Sequence, residues 1–191
     1  MRTLPLAARY VLYRPGLALL QSLLLAFGVI LAVLLLQTQQ AIEQRLGRDG
    51  GSVDLVVGAK GSAMQLLLSS LYHVDSPAGN IPATARDTIA SHPLVRQAVP
   101  VALGDNVEGY RIVGTTPEFL DFYTARLRDG QVFNTSFEAV IGAEVALRQG
   151  WGVGQTFVGA HGLAAGGEAH ADHPYRVVGV LARTGTVIDR L

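Results

Sequence analysis

The chain has 191 residues, 49% of them apolar, and its 15 basic and 15 acidic side chains cancel to a net charge of zero. That balance excludes the basic footprint of a nucleic-acid-binding protein, and the absence of cysteine excludes disulfides, thiolate nucleophiles and cysteine-based zinc sites. The 22 glycines fall in short turn-like groups without a fixed period, which rules out a solenoid or a low-complexity tract.

Residues 15–42 carry no charged side chain, and residues 17–36 are almost continuously Leu, Ala, Val, Ile and Phe. At a helical rise of about 1.5 Å such a run spans about 30 Å, the thickness of the hydrocarbon core of a bilayer. Its leucines, each favourable by roughly 0.3–0.6 kcal/mol near mid-membrane, outweigh Gln21 and Ser22, whose polar groups find local partners. One transmembrane helix is predicted over 17–36. Arg2, Arg9 and Arg14 precede it with no acidic residue, whereas Glu43, Arg45, Arg48 and Asp49 nearly cancel after it. The positive-inside rule therefore puts residues 1–16 in the cytoplasm and everything after 36 outside. Tyr10 and Tyr13 suit an interfacial belt, and Pro15 with Gly16 suits a helix entry. The rival reading is a cleaved signal peptide. Its apolar region normally runs about 7–15 residues to a small-x-small site, and here the run is longer and leads into Gln37-Thr38-Gln39-Gln40, which favours an uncleaved anchor.

Residues 37–46 are good helix formers with Ile42 and Leu46 on one side, so the helix is predicted to continue outward as a stalk, over 37–49, until Gly47 and Gly50-Gly51 end it. A solvated linker is the alternative. Residues 50–191 are enough for one ordinary domain or two small lobes. Within them Val53-Asp54-Leu55-Val56-Val57 reads as a buried strand. Ser62 caps a helix to about Tyr72, with Met64, Leu67, Leu68 and Leu71 toward the core. A loop over 73–82 and a helix over 84–92, stopped by Pro93, follow. Segments 95–103 and 107–115 flank Gly104-Asp105-Asn106 as a hairpin. Thr116-Pro117-Glu118 opens a short helix to Tyr123. Then come a strand at 139–141, a helix over 143–149 closed by Gly150, a strand at 154–158 and a strand over 175–181. Strands and helices mix without strict alternation, which makes the fold class α+β.

Several groups invite chemistry. Gly58-Ala59-Lys60-Gly61-Ser62 between a strand and a helix has the amides and the lysine of a phosphate loop, but Gly61 separates Lys60 from Ser62 and the glycine spacing is short, so a tight structural turn is the simpler reading. Ser69, Ser70, His73 and Asp75 supply the residue types of a hydrolase triad without the nucleophile-elbow pattern. The loop 161–173 holds His161, Glu168, His170, Asp172 and His173 among glycines, a donor set suited to zinc, copper or nickel, though no pair has a closed structural-zinc spacing. A solvated insertion between two strands is the simpler reading. Tyr72, Phe119, Phe122, Tyr123 and Trp151 serve as partner anchors or as core. No catalytic, cofactor-binding or metal residue is assigned.

The run from Asp54 to Ser62 joins Leu68-Ser-Ser-Leu-Tyr72-His-Val-Asp75 and Pro77-Ala-Gly-Asn-Ile-Pro82. Further on stand His92-Pro93-Leu-Val, Arg111-Ile-Val-Gly-Thr-Thr-Pro117, Phe137-Glu-Ala-Val-Ile-Gly142-Ala-Glu144, His173-Pro-Tyr-Arg-Val-Val-Gly-Val-Leu181 and Thr184-Gly-Thr-Val. As a set these resemble the exported core domain of MacB/FtsX-type ABC transporter permeases, and the resemblance extends over nearly the whole chain. It implies a bacterial inner-membrane permease with one N-terminal membrane helix, a periplasmic domain and three later membrane helices. The chain then corresponds to the N-terminal part of such a subunit, with 50–191 an incomplete periplasmic core. The resemblance further implies a non-catalytic subunit that binds no cofactor itself. ATP and magnesium are used by a separate cytoplasmic ABC ATPase, permeases pair as dimers, a periplasmic partner joins them, and hydrolysis is turned into motion of the outer domain by mechanotransmission. The alternatives are a singly anchored metal-binding or adaptor protein using loop 161–173, and an anchored hydrolase.

Overall fold

The computed structural model describes residues 9, 11–50, 52–162 and 172–191. Arg2, Tyr10, Gly51, Glu168 and His170 lie outside the described residues, as do the side chains of Arg45 and Leu46. The chain divides into two compact units, Met1–Arg45 and Leu46–Leu191.

Helix α1 (Pro15–Gly50) has 36 residues and is long and apolar enough to cross a membrane. Its apolar side chains are exposed along its length, Leu25 by 72% and Leu35 by 72%, a surface that only an apolar solvent satisfies. Two hydroxyls in it bond back to the backbone: Ser22 Oγ donates to the Ala18 carbonyl at 2.9 Å and Thr38 Oγ1 to the Leu34 carbonyl at 2.7 Å. Beyond the apolar run Gln39 donates to Glu43 at 2.9 Å, one turn on. The helix runs through Gly47 without a break and stops at Gly50.

The second unit is α+β. Its hub is β7 (Tyr175–Leu181), whose residues 177–181 are all buried and read as the continuous apolar run of a strand covered on both faces. It pairs antiparallel with β3 (Leu127–Gly130), parallel with β4 (Glu138–Ile141) and antiparallel with β5 (Thr156–Phe157). A second sheet has the order β2-β1-β6, with β1 Val101–Val107, β2 Tyr110–Thr115 and β6 Ala160–His161. Helices α2 (Ala63–Ser70), α3 (Ala83–Ala90) and α4 (Ala143–Gln149) and two 3-10 segments, Pro117–Tyr123 and Val187–Arg190, complete it. One core cluster gathers Ile141, Val145, Ala146, Phe157, Val177 and Val180; the other gathers Phe119, Tyr123, Leu181, Val187 and Ile188. Each such side chain, fully buried, stabilises by about 2 kcal/mol.

Several expectations are corrected. Residues 53–57 form no strand: no ladder partner exists for them among the described residues, and Leu55 is 74% exposed. Helix α2 does not turn Met64 and Leu67 inward; both are exposed, and the buried residue is Ser69, because the helix packs through its Leu66 side against the loop at Gly58. It also ends at Ser70 rather than at Tyr72. The hairpin turns at Glu108-Gly109, whose φ values of 50° and 81° are those of a type I′ turn, and Gly104-Asp105-Asn106 lies inside β1 beside a register shift. Strand β1 starts only at Val101, after Pro100, which has no amide to give a ladder. The segment after Thr116 is a 3-10 helix without a side-chain cap. The expected helix at 143–149 and strand at 175–181 form as read.

Candidate coupling site at the end of the long helix

Asp49 stands at the wrong end of a helix. A carboxylate in the last turn faces the negative end of the helix dipole, and its position makes sense only through a partner elsewhere. That partner is the Val187 amide, which donates to Asp49 Oδ1 at 2.8 Å and opens the last 3-10 segment. The carboxylate thus serves as a cap supplied from a distant part of the chain. Next to it the Gly50 carbonyl accepts from the Val53 amide at 3.1 Å, and Ser52 Oγ donates to the Phe122 carbonyl at 2.5 Å. A methyl group on Gly50 would touch Leu71 Cδ1 at 3.5 Å and the Tyr72 hydroxyl at 3.6 Å, so the end of α2 also closes over this point. Burial pushes the Tyr123 phenol up to about 12, and the charge of Asp49 adds to the rise.

The turn that receives Asp49 is held from within by a second acid. Asp189 is 5% exposed, and its carboxylate accepts from the Thr184 amide at 2.9 Å, the Thr184 hydroxyl at 2.9 Å and the Gly185 amide at 2.8 Å. Thr184 Oγ1 also meets Thr186 Oγ1 at 2.7 Å. The segment then docks on the start of α4: the Gly142 amide donates to the Leu191 carbonyl at 2.8 Å, and a Cβ at Gly142 would run into the backbone of Ile188 and Asp189. The helix end is therefore tied through this turn to β4, α4 and the second core cluster.

Beside this region lies a buried polar group. His73 has φ 53° and is 7% exposed, and neither ring nitrogen has a hydrogen-bond partner among the described residues. Burial and, secondly, the nearby Arg111 push its imidazole down to about 4. Arg111, 8% exposed, donates to the Asp75 carbonyl at 3.1 Å; burial lowers its own proton affinity while Asp75 partly restores it. The Phe119 ring meets His73 edge-on at 6.0 Å.

These positions dissolve the triad suggested by residue type. Ser69 Oγ bonds the Gln65 and Leu66 carbonyls of its own helix, and Asp75 Oδ1 accepts from the Ser76 amide. Neither is joined to His73. In Gly58-Ala59-Lys60-Gly61-Ser62 the glycines serve packing: a Cβ on Gly58 would strike Leu66 and one on Gly61 would lie 2.7 Å from Ala78, while Ser62 caps α2 by accepting from the Gln65 amide. In loop 161–173, His161 Nδ1 pairs with Asp105 at 2.8 Å and His173 stacks on Phe137 at 5.0 Å. No group of three metal-ligating side chains occurs among the described residues. Of the aromatics, Tyr72, Phe122 and Tyr123 surround the helix end, Phe119 lies in the core beneath, and Trp151 stacks on Phe157 in the other cluster.

Asp49, Arg111 and Asp189 were not singled out by sequence. The available signal for Asp49 was its clash with the helix dipole, and for Asp189 the pattern Thr184-Gly-Thr-Val-Ile-Asp189, in which a carboxylate follows a glycine turn flanked by hydroxyls.

An α+β domain that closes over the end of a helix of membrane-spanning length and composition defines a class of anchored domain. Residues 22–189 match the family described as the MacB-like periplasmic core domain, and the chain belongs to that family, which is one of ABC transporter permeases of the MacB/FtsX type. Among solved structures, the periplasmic region of MacB from Actinobacillus actinomycetemcomitans aligns at 14% identity with a TM-score of 0.38, over 68% of this chain and 60% of that one. The chain thus spans 60% of that relative's length. No curated protein matches it.

Proposed function

We propose that the chain is a non-catalytic permease subunit of the bacterial inner membrane that couples ATP hydrolysis by a separate cytoplasmic ABC ATPase to conformational change and transport outside the cell. In this reading residues 1–16 are cytoplasmic, 17–36 cross the membrane, 37–49 act as a stalk and 50–191 receive the motion as the periplasmic core. Two permeases pair, a periplasmic partner takes up the movement, and the subunit itself holds no cofactor. The observation that carries the reading is the family match over residues 22–189. The capping of the Val187 amide by Asp49 supports it, because a displacement along a helix reaches a domain only where the helix end is fixed.

The absence of cysteine makes the topology directly testable. Single cysteines at Tyr13 and at Leu147, which are 89% and 81% exposed, are treated in spheroplasts with a membrane-impermeant maleimide. Labelling at 147 and protection at 13 is expected, and the reverse pattern refutes the orientation. Co-purification of an ATPase whose turnover falls in the Asp49→Ala variant tests the coupling.

A further inference from the structure

The family assignment leaves His73 unused, yet it is the most anomalous polar group in the domain. Three observations meet there. It is buried, with both ring nitrogens lacking partners among the described residues. Its backbone sits at φ 53°, an uncommon conformation for a residue with a side chain. Its ring also meets Phe119 of the 3-10 segment 117–123 edge-on, with Tyr123 edge-on to Phe119 in turn at 5.4 Å, and the charge of the buried Arg111 from β2 acts on it. Asp75, on the same loop, acts on Arg111. A proton on His73 therefore creates a second buried cation beside Arg111 with no acceptor for either N–H, an arrangement that expels the ring rather than holding it.

The ring leads directly to the coupling site. The loop that His73 begins follows α2, whose end packs over Gly50 through Leu71 and Tyr72. The segment carrying Phe119 also carries Phe122, which accepts from Ser52. We propose that His73 is an acid-sensitive latch: neutral, it closes the loop after α2 onto β2 and the 3-10 segment 117–123, and protonated, it leaves that pocket and loosens the grip on the end of α1. The inference rests on this local geometry and not on the permease reading, so it stands or falls separately from transport.

Linkage sets the size. With an imidazole that titrates at its ordinary 6.5 when released and at about 4 when enclosed, the opening equilibrium rises about sixtyfold between pH 7 and pH 4.5. The full chain in nanodiscs is followed by hydrogen–deuterium exchange, with rates corrected for intrinsic pH dependence. Peptides covering 71–76 and 117–123 are expected to lose protection by more than tenfold at pH 4.5, while those covering β7 do not. His73→Asn, which tolerates the left-handed backbone and does not titrate, is expected to show no such pH step. A step that persists in the variant, or its absence from the wild type, overturns the proposal. A histidine-labelled NMR titration of the wild type gives an independent reading that requires no variant: a His73 resonance titrating near 6.5 refutes the latch, and one titrating below 5 supports it.

Discussion

Asp189→Ala tests the claim that the turn receiving Asp49 is held by one buried carboxylate. The side chain is 5% exposed and accepts two backbone amides and one hydroxyl, all at 2.8–2.9 Å. Truncation leaves both amides without that acceptor on a turn whose Thr184 is half-buried and whose Gly185 is exposed, so water recovers part of the loss and each costs about 1 kcal/mol. The threonine hydroxyl can turn to its neighbour Thr186, which it already meets, and contributes little. The expected loss is about 2 kcal/mol, a sizeable part of the 5–15 kcal/mol typical of a domain, with a fall in melting temperature of about 4–8 °C. Urea unfolding of the detergent-solubilised chain, followed through the single Trp151 stacked in the other core cluster, reads this directly. Asp129→Ala is the control, since its pair with Arg128 is half exposed and contributes below about 1 kcal/mol. If Asp189→Ala moves the midpoint no further than that control, the carboxylate does not organise the turn and the reasoning fails.

Asp49→Ala is expected to destabilise by about 1–3 kcal/mol and to raise exchange at the Val187 amide specifically; unchanged exchange there refutes the capping. Gly142→Ala is expected to cost about 2–3 kcal/mol in the same urea assay, because the new methyl meets the backbone of Ile188 and Asp189, which cannot turn aside as a side chain can. Tyr123, with a folded-state value of about 12 against an ordinary 10.0, contributes stability that is whole below pH 10 and fades as pH rises to 12. The loss is about 2–3 kcal/mol, and unfolding curves across that range should lose the step in Tyr123→Phe. Gly109→Ala, at φ 81°, is expected to cost about 1 kcal/mol by strain at the hairpin turn.

What could be read in advance followed from local rules. The apolar run of α1, the glycine-closed α4 and the Val-rich β7 each declare themselves within their own residues. What escaped was decided elsewhere. Val53-Asp-Leu-Val-Val57 has the composition of a strand, but a strand needs an edge to pair with, and composition carries no such information. Leu127–Gly130 and Ala160–His161 show no alternation and become strands only because β7 and β1 offer them hydrogen bonds. Glu108-Gly109 makes the hairpin turn because Val107 and Tyr110 are in register across it, while the stronger-looking Gly104-Asp105-Asn106 is drawn into pairing with β6. The candidate site was hidden in part for the same reason: Asp49 acts on an amide that a linear reading does not connect to it. The family, by contrast, was legible, because many weak local matches in the right order are jointly specific.

The hydrogen bond between Asp49 and Val187 joins positions 138 apart in sequence. A contact of that span closes only after everything between has found its place, since the entropy of so large a loop must be overcome first. During synthesis the last turn of α1 is thus left frayed until the body it carries is complete. An unfinished or damaged body leaves the end of the helix unpinned, with the Val187 amide and the Asp49 carboxylate both facing water.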